Sequence, residues 1–397
     1  MSGPPLKVLI VGVSTRAAAA SAAAAGFAPV TVDAFADLDQ DPRVRALILE
    51  DYAPSRAVDA ASHLSVTAAA YVSGFENHPD QVDRLSRERT LWGNPADVLG
   101  RARDPFLLRE AFRTAGLPAP RVRRSAPEDL EGLWVSKPRA AGGGHGVHLW
   151  DGGEPGLGTY LQEHIAGTSG SVAFVAARGR AVPLGVTRQL IGDGAFGASG
   201  FQYCGSILPA EGERLFPGLG DQAFRLASAA SAAFGLVGIN GIDFVYRAPD
   251  AGADAIAWPV ELNPRWSASV ELFEQASGIP AFGLHADACR DGRLPPPRSG
   301  VSAQAIGKAV VFARTDIRVG DTRGWLTRAG TFRDVPRPDT VIAAGRPVCT
   351  VVATAPDSSG CYSRLVEAAT GLYREMDAWE ARSSLSMPPG ARGVSTG

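Results

Sequence analysis

The sequence predicts a mixed α/β and α+β fold in several successive units. Residues 7–13 (KVLIVGV) form a continuously apolar, β-branched run, which is typical of a buried parallel strand. An alanine-rich stretch at 17–25 then predicts a helix that ends at Gly26. Strand and helix patterns alternate from there to about residue 295, and short β-branched runs follow. We therefore expect a doubly wound N-terminal domain, an α+β core and a small C-terminal β-rich lobe.

Changes in composition divide the chain into expected domains. Its 397 residues are too many for one typical domain and suit two or three. Three prolines at 293–300 (RLPPPRSG) stop both helix and sheet and predict a linker. A last helix is expected at 362–378, and the Ser-, Gly- and Pro-rich end after it predicts disorder. The expected segments are an N-terminal domain at 1–100, a core at 101–295, a C-terminal β-rich domain at 296–380 and a disordered tail at 381–397.

The N-terminal domain begins with a β-α-β pattern. Ser14 and Thr15 can cap the first helix, and further strands are expected near 30–32 and at 46–49. The first turn carries only Gly12, whereas a dinucleotide-binding turn needs three glycines for the close approach of pyrophosphate. The sequence therefore does not predict NAD binding in this domain.

Charge and cysteine usage exclude several function classes. The formal net charge is -2, so there is no global basic field to hold nucleic acid or an anionic membrane. No apolar run approaches the ~20 residues that span a bilayer, and the first run is shorter than the core of a secretory signal. The four cysteines are scattered and suit a reducing compartment. We expect a cytoplasmic protein without nucleic-acid or membrane partners.

A well-punctuated helix is expected from residue 105. Asp104 is a good N-cap, Pro105 suits the first helical position, and Gly116 and Pro118 end the helix. Seven arginines surround it: Arg101, Arg103, Arg109, Arg113, Arg121, Arg123 and Arg124. A solvated helix face is the favoured explanation, and a positive wall beside a phosphate site is the alternative.

A lysine emerges from an expected strand shortly before a glycine-rich loop. The string WVSKPRAAGGGHGV at 134–147 places Lys137 ahead of five loop residues, which are Gly142, Gly143, Gly144, His145 and Gly146. Glycine lets backbone N–H groups approach phosphate oxygens, and lysine adds a point charge. The pattern is not a Walker A motif, and a simple hairpin turn explains the glycines as well. Both interpretations stand at this point.

A second motif, LQEHIAGTSGSVAFV at 161–175, reads as a strand, a turn and a second strand. A short acidic hinge of this kind can place backbone groups against an adenine edge, with Gln162, Glu163 and Ile165 as the candidates. Glu163 is alternatively a solvated residue at a strand end.

The third motif joins one carboxylate to a downstream acidic string. Asp243 lies in an apolar run (VGINGIDFVY, 237–246), and WPVELNPR follows at 258–265. Residues two apart in a strand share a face, so Glu261 and Asn263 point together, and Asp243 can lie opposite them on a paired strand. Three oxygen ligands of this kind suit magnesium beside a phosphate site. Arg265 is expected on the same side with a permanent charge.

Together these motifs resemble an ATP-grasp enzyme over roughly residues 95–290. The N-terminal segment is similar to the pre-ATP-grasp domain, and VIAAGRPVCTV at 341–351 is similar to the small β-domain of biotin-carboxylase-like relatives. The resemblance implies two α+β subdomains that grip ATP between them, with Lys137 on the phosphates and residues 142–146 as a mobile lid.

The resemblance also implies roles for the other motif residues. Gln162, Glu163 and Ile165 would hold adenine and ribose, and Arg265 would steady the transferring phosphoryl group or a substrate carboxylate. The implied metal ligands are Asp243, Glu261 and Asn263, for Mg²⁺ or alternatively Mn²⁺.

Two departures from the family pattern stand out. Family members commonly carry a lysine near the start of the helix at 105, whereas this chain has Pro105 and Phe106 there, with Arg103 and Arg109 as the nearest cations. An acidic ribose contact is common near position 169, where this chain has SGS at 169–171.

Within the family, the strings QEHIAGT (162–168) and GVTRQL (185–190) resemble the carboxylate–amine ligase branch that includes tyramine–glutamate ligase of methanofuran biosynthesis. This resemblance implies amide formation through an acyl phosphate, in synthesis of a methanofuran- or tetrahydromethanopterin-type C1 coenzyme. The expected partners are a small-molecule carboxylate and amine, and a homodimer is the expected assembly. The alternatives are a biotin-carboxylase-like carboxylase and a non-catalytic nucleotide-binding regulator.

Arg188 is the remaining candidate. It is expected on or just after a strand that faces the cleft, where its planar fork would grip a substrate carboxylate. A surface ion pair explains this arginine equally well.

Overall fold

A five-stranded parallel sheet occupies the N-terminal part of the chain. Its strands are β1 (Lys7–Val11), β2 (Ala28–Asp33), β3 (Arg45–Ile48), β4 (Ala68–Tyr71) and β5 (Thr90–Trp92), in the spatial order β3-β2-β1-β4-β5. The computed structural model describes residues 4–126, 132–248, 255–297, 302–328 and 330–385.

Helices cover both faces of this sheet. They are α1 (Arg16–Ala24), α2 (Pro54–Ala61) and α3 (Pro79–Glu88). Val8 and Ile10 pack toward α1, while Leu9 and Val11 pack toward α2 and α3, because alternate residues of a strand point to opposite faces. The predicted doubly wound fold is confirmed.

The first helix is not capped as the sequence predicted. Thr15 occupies the N-cap position without capping, and its hydroxyl instead donates to Asp33 at the end of β2 over 2.7 Å. The buried Asp33 carboxylate competes successfully for this donor.

A small antiparallel sheet follows α4 (Ala96–Ala102) and α5 (Pro105–Thr114). Its strands are β6 (Val122–Arg123), β7 (Trp134–Pro138), β8 (His148–Leu149) and β9 (Thr159–Glu163), in the order β6-β9-β7-β8. Asp104 caps α5 as predicted, since its side chain accepts from the backbone N–H groups of Phe106 and Leu107. The glycine loop connects β7 to β8.

An eight-stranded antiparallel sheet joins the core to the C-terminal part of the chain. Its strands are β10 (Thr168–Ala177), β11 (Arg180–Ile191), β12 (Tyr203–Leu208), β13 (Gly238–Arg247), β14 (Ile256–Asn263), β15 (Ala305–Phe312), β17 (Phe332–Arg333) and β19 (Pro347–Ala355). The spatial order is β14-β13-β10-β11-β12-β15-β19-β17. The C-terminal β-rich lobe therefore extends the sheet that carries the core.

The remaining elements pack around this sheet. They are a two-stranded sheet of β16 (Ile317–Arg318) and β18 (Val341–Ile342), the helices α6 (Gln222–Phe234), α7 (Val270–Ser277), α8 (Ala281–Asp291) and α9 (Ser358–Leu385), and short 3₁₀ turns at Phe75–Asn77, Gly194–Phe196 and Arg323–Thr327. Within the described residues, no helix combines the length and apolar character that crossing a membrane requires.

The last helix is longer than the sequence predicted. A helix was expected at 362–378 with a disordered tail from 381, whereas α9 continues to Leu385. The reason is compositional, because 379–385 contains good helix formers and the first proline stands at 388. Residues 386–397 of the expected tail lie outside the described residues.

A buried group of charges ties the three parts of the chain together. We call the five residues Arg16, Asp39, Glu271, Lys308 and Asp334 the charge cluster. The Arg16 guanidinium contacts Asp39 at 3.4 Å, Asp334 at 2.6 Å and Glu271 at 2.8 Å, and Lys308 contacts Glu271 at 2.8 Å. Burial alone would raise the pKa of Glu271, but Arg16 and Lys308 hold it well below its usual range.

Candidate active site

A cleft of about 560 Å³ opens between the small sheet and the eight-stranded sheet. Twelve of the predicted site residues line it: Lys137, Gly142, Gly143, Gly144, His145, Gln162, Glu163, Ile165, Asp243, Glu261, Asn263 and Arg265. Gly146 and Arg188 are not among the lining residues. The structure thus gathers almost all of the motif residues in one place, from segments more than a hundred residues apart in sequence.

The glycine loop lies across the cleft. Gly143 and Gly144 have φ values of 62° and 78°, in the left-handed region that glycine enters without strain. The carbonyl of Gly143 accepts from the backbone N–H of Tyr203 over 3.0 Å, and a Cβ on Gly144 would lie 1.9 Å from the Phe201 carbonyl oxygen. This close approach closes the loop onto the opposite sheet.

Lys137 extends from β7 toward the centre of the cleft. Its ammonium donates to the Gln162 side-chain oxygen at 3.1 Å and to the Val260 carbonyl at 3.3 Å. Both acceptors are neutral, so the positive charge of Lys137 is fixed in position and remains available to an anion.

The hinge at the end of β9 differs from the expected acidic contact. Glu163 lines the cleft, but its carboxylate accepts from the backbone N–H of Arg121 at 3.0 Å and pairs with the Arg121 guanidinium at 3.3 Å. Ile165 also lines the cleft and is buried. Within the described residues its backbone N–H has no hydrogen-bond acceptor. That N–H is therefore the group available to a planar ring here.

The acidic motif assembles as the strand alternation predicted. Asp243 on β13 is the direct register partner of Glu261 on β14. Asp243 accepts from the side-chain amides of Asn263 and Gln189, each at 3.0 Å, and from the hydroxyl of Ser171 on β10. Two carboxylates and one amide oxygen therefore face the cleft together.

The pKa values of Asp243 and Glu261 are shifted in opposite directions. Burial, and next the negative charge of Glu261, raise the pKa of Asp243 to about 6. Burial would also raise the pKa of Glu261, but Arg103 and then Lys137 hold it below its usual range. Adjacent buried carboxylates repel one another, so a cation bound between them would relieve the cost of their ionisation.

The donor chemistry of these three side chains fits magnesium. Hard oxygen donors are what Mg²⁺ prefers, and it commonly takes one or two carboxylates and completes its shell with phosphate oxygens and water. Across the described ranges, no three or more His, Cys, Asp or Glu side chains are placed to form a metal centre by themselves. A metal held by these two carboxylates and one amide would therefore need further ligands from outside the protein.

Arg265 is held by a residue that the sequence did not single out. Its Nε donates to Glu76 over 2.7 Å and its Nη2 donates to Asn263 over 3.2 Å. The Glu76 side chain is only 2% exposed, which makes this a buried ion pair from the N-terminal part of the chain to the core.

Arg188 does not reach the cleft, which corrects the expectation for this residue. Its neighbour Gln189 lines the cleft, and consecutive residues of a strand point to opposite faces. Arg188 instead influences the pKa of Tyr362, a residue of α9 on the far side of the sheet. Its role as a carboxylate grip has no support from this position.

Some of the arginines around α5 lie on a solvated helix face, and others line the cleft. Arg101 and Arg113 are exposed and pair with Asp97 at 3.5 Å and Glu110 at 3.6 Å along their own helices. Arg103 and Arg109 line the cleft, together with Arg139. In the sequence, Arg103 and Arg109 stood out only as the cations nearest to the start of α5, where the resemblance implies a lysine.

Comparison with known proteins agrees with this geometry. Residues 102–269 match the family model of an ATP-grasp domain. This segment of the chain is similar to ATP-grasp domains. It covers α5 to β14 and therefore holds every candidate metal ligand. No curated protein matches the chain in sequence.

Solved structures share the fold over most of the chain, including this segment. L-amino acid ligase from Bacillus licheniformis is 15% identical, with a TM-score of 0.63 over 95% of this chain and 98% of that one. N5-carboxyaminoimidazole synthetase from Staphylococcus aureus is 13% identical, with a TM-score of 0.66 over 92% and 97%. Biotin carboxylase from Campylobacter jejuni is 15% identical, with a TM-score of 0.65 over 90% and 89%. The predicted fold class is confirmed.

Proposed function

We propose that the protein is an ATP- and Mg²⁺-dependent ligase that joins a small-molecule carboxylate to an amine. The observation that carries the proposal is the register pair of Asp243 and Glu261 facing Lys137 across one cleft, beneath the glycine loop. A cation site and an anion site side by side are what a metal–nucleotide complex requires. The match to an ATP-grasp domain supports the same assignment.

The nucleotide would lie along the cleft. Lys137 and the loop residues Gly142, Gly143, Gly144 and His145 would contact the phosphates, and Gly146 would support the loop from outside the lining. Gln162, Glu163 and Ile165 would frame the base, with the free N–H of Ile165 as its donor. Asp243, Glu261 and Asn263 would hold Mg²⁺, with Mn²⁺ as an alternative.

The chemistry follows from the weakness of a carboxylate as an electrophile. When bound, ATP would supply the phosphoryl group that converts the carboxylate into an acyl phosphate, from which the amine displaces phosphate. Phosphoryl transfer needs charge neutralisation more than covalent help. Lys137 and Arg265 supply fixed positive charges, and the closed loop would keep water from the activated acyl group.

The candidate acceptor site is the part of the cleft that Ser267 and Ser269 line. Their side chains are buried, and their hydroxyl oxygens are 3.2 Å apart. They precede α7, whose N-terminal backbone N–H groups favour negative charge. A small carboxylate-bearing substrate fits these donors, and the finer proposal is an amino-acid-like substrate in C1-coenzyme synthesis.

A biotin-carboxylase-like activity is the second candidate, with bicarbonate as the carboxylate. The shared fold with biotin carboxylase over 90% of this chain favours it. ADP release that depends on bicarbonate and rises with added biotin would identify this activity. ADP release that depends on an amine and a carboxylic acid would identify the ligase.

Calorimetric titration of ATP with and without Mg²⁺ tests the nucleotide site. We expect Mg²⁺-dependent binding to the wild-type protein and its loss in Asp243→Asn. That change removes a buried charge, but it turns an amide N–H toward one of the two amides that donate to Asp243. A flip of the Gln189 amide restores an acceptor, so the melting temperature should stay close to that of the wild type. The matched control is Asp97→Asn, at a side chain that is 73% exposed.

Absence of metal-dependent ATP binding at millimolar nucleotide would contradict the proposed function. If binding is present, ADP release across paired pools of carboxylic acids and amines identifies the substrates. A non-catalytic regulator would bind Mg-ATP and release no ADP with any pair.

A further inference from the structure

Arg103 occupies the junction of the candidate metal site, the glycine loop and the N-terminal part of the chain. Its Nη1 donates to Glu261 Oε1 over 2.6 Å, and its Nη2 donates to the Ala141 carbonyl over 2.7 Å and to Asn77 over 3.2 Å. The side chain is 13% exposed and lines the cleft. Its Nε is buried, and no described group accepts a hydrogen bond from it.

These contacts put Arg103 in competition with a metal ion. Glu261 is a candidate ligand, and the guanidinium already holds one of its carboxylate oxygens. A divalent cation beside Asp243 and Glu261 would lie next to this positive group, and the two like charges would repel strongly in a half-buried site. Metal binding through that oxygen therefore requires Arg103 to give up Glu261.

A second acceptor would be at hand when that happens. A metal–nucleotide brings phosphate oxygens into the same cleft, and an arginine fork matches phosphate well. The Ala141 carbonyl directly precedes the glycine loop, so this second contact keeps the guanidinium at the loop while the first one changes.

The position of the charge also fits the composition of α5. The first turn of the helix, which starts with Pro105 and Phe106, carries no cation. Arg103, two residues earlier, brings a cation into the cleft from outside the helix.

We propose that Arg103 is an exchangeable counter-ion, which neutralises Glu261 in the metal-free protein and transfers to phosphate oxygens when a metal–nucleotide binds. This inference rests on the proposed function, since it takes the cleft as the Mg-ATP site. Arg103 would thus be a positioning residue that makes metal binding and nucleotide binding depend on each other.

The test measures two affinities that should move in opposite directions. Mn²⁺, which accepts the same oxygen ligands, is titrated alone and followed by electron paramagnetic resonance. In Arg103→Gln we expect Mn²⁺ to bind about 10-fold more tightly, because its competitor for Glu261 is gone. Mg-ATP, followed by calorimetry, should bind about 10-fold more weakly, because a phosphate contact is lost.

Three further variants make the result decisive. Arg103→Met keeps the apolar stem and replaces the Gln variant if that one does not fold. Arg103→Lys keeps the charge without the fork, so Mn²⁺ affinity should stay within about threefold of wild type while Mg-ATP affinity falls. Arg101→Gln, at an exposed arginine of the preceding helix, should change neither affinity.

Unchanged or weaker Mn²⁺ binding in the neutral Arg103 variants would overturn the inference, because a merely structural arginine cannot mask a metal ligand. Unchanged Mg-ATP binding in those variants would overturn the transfer to phosphate. Failure of the proposed function looks different, because the wild-type protein itself would then show no Mg-ATP binding.

Discussion

Asp37 is a buried carboxylate with like charges around it. It is 7% exposed, and one of its side-chain oxygens is buried without a hydrogen-bond partner in the described residues. Burial, and then the charges of Asp334, Asp39 and Asp33, raise the pKa of Asp37 to about 8. In the unfolded chain an aspartate titrates near 4. The folded protein therefore holds a proton on Asp37 at neutral pH.

The first prediction concerns the pH dependence of stability at this residue. A raised folded pKa contributes stability that is fully present below the unfolded pKa and is lost as the pH rises toward about 8. Asp37→Asn is permanently neutral, so the free energy of unfolding of the wild type should fall relative to the variant between about pH 6 and pH 8. We expect a relative change of about 1–3 kcal/mol.

Urea unfolding of both proteins at the two pH values measures this change. Asp59→Asn, at a side chain that is 63% exposed, is the control and should show the wild-type slope. A parallel pH dependence of wild type and Asp37→Asn would show that Asp37 is ionised in the folded protein.

The second prediction separates Arg188 from the cleft. Because Arg188 points away from Gln189 and the proposed metal ligands, Arg188→Ala should change Mg-ATP affinity by less than about twofold. Lys137→Ala, which removes the charge fixed within the cleft, should weaken binding by about 10-fold or more. Calorimetry under identical conditions compares the two variants. An equal loss of Mg-ATP affinity in both would show that Arg188 does act in the cleft.

At the residue scale, the sequence predicted the site where chemistry and local spacing agree. The common orientation of Asp243, Glu261 and Asn263 could be predicted because strand alternation determines which side chains share a face. Glu76 was not singled out, Arg103 was named only as a cation near the start of α5, and Arg188 was expected in a cleft that it does not line. Their environment depends on contacts between segments far apart in sequence, and no local pattern encodes such contacts.

At the scale of elements, the glycine loop between β7 and β8 is the part of the cleft built for close approach. Gly143 and Gly144 have similar positive φ values but different surroundings. A Cβ on Gly143 would meet only the His145 ring, at 3.8 Å, whereas a Cβ on Gly144 would collide with the Phe201 carbonyl. The two positions thus share backbone strain and differ in whether the loop can close.

The third prediction uses this difference. Gly143→Ala and Gly144→Ala both carry the backbone cost of a left-handed residue, about 1 kcal/mol. Only Gly144→Ala should hold the loop open, and we expect it to weaken Mg-ATP binding at least about 5-fold more than its neighbour does. Calorimetry measures the Mg-ATP affinity, and limited proteolysis measures how far the loop is closed. Equal effects of the two variants would show that the contact of Gly144 with Phe201 does not control loop closure.

The bounds of an element could be predicted where residues next to it in the sequence mark its start or its end. Asp104 and Pro105 mark the start of α5 as a cap and a first-turn proline, and the structure agrees. The end of α9 was missed by seven residues because it carries no glycine or proline stop before Pro388. The cap predicted at Thr15 does not form, because its hydroxyl donates to Asp33 on β2, which is distant in the sequence.

At the scale of the whole molecule, the charge cluster links α1, α7 and the C-terminal strands. Arg16 is only 5% exposed at its side chain and meets three carboxylates. Removing the central cation of such a group leaves buried negative charges without compensation.

The fourth prediction follows from that arrangement. Arg16→Ala should lower the free energy of unfolding by about 3–5 kcal/mol and separate the unfolding of the N-terminal part from that of the core. Arg87→Ala, which breaks an exposed pair with Asp83 along one helix, should cost about 0.5 kcal/mol or less. Urea unfolding followed by fluorescence and by circular dichroism measures both effects, and a single unchanged transition in Arg16→Ala would contradict the coupling.

The sequence predicted the general plan of the molecule, but it placed the C-terminal segment beside the core rather than within its sheet. The β-branched runs in β15 and β19 predict strands but do not identify the strands with which they pair. The pairing of β15 with β12 is non-local, so it lies beyond what periodicity can show.

That same pairing has a consequence for the nascent protein on the ribosome. Strand β12 ends at Leu208, and its partner β15 begins at Ala305, so roughly 100 residues are made before the edge of the half-built sheet finds its neighbour. At bacterial and eukaryotic translation speeds this interval lasts about 5–20 s. During it, the backbone groups of β12 present an open edge of the kind that recruits other strands. Yield of soluble protein should therefore depend on how quickly residues 209–312 are translated and on whether a chaperone covers β12 in the meantime.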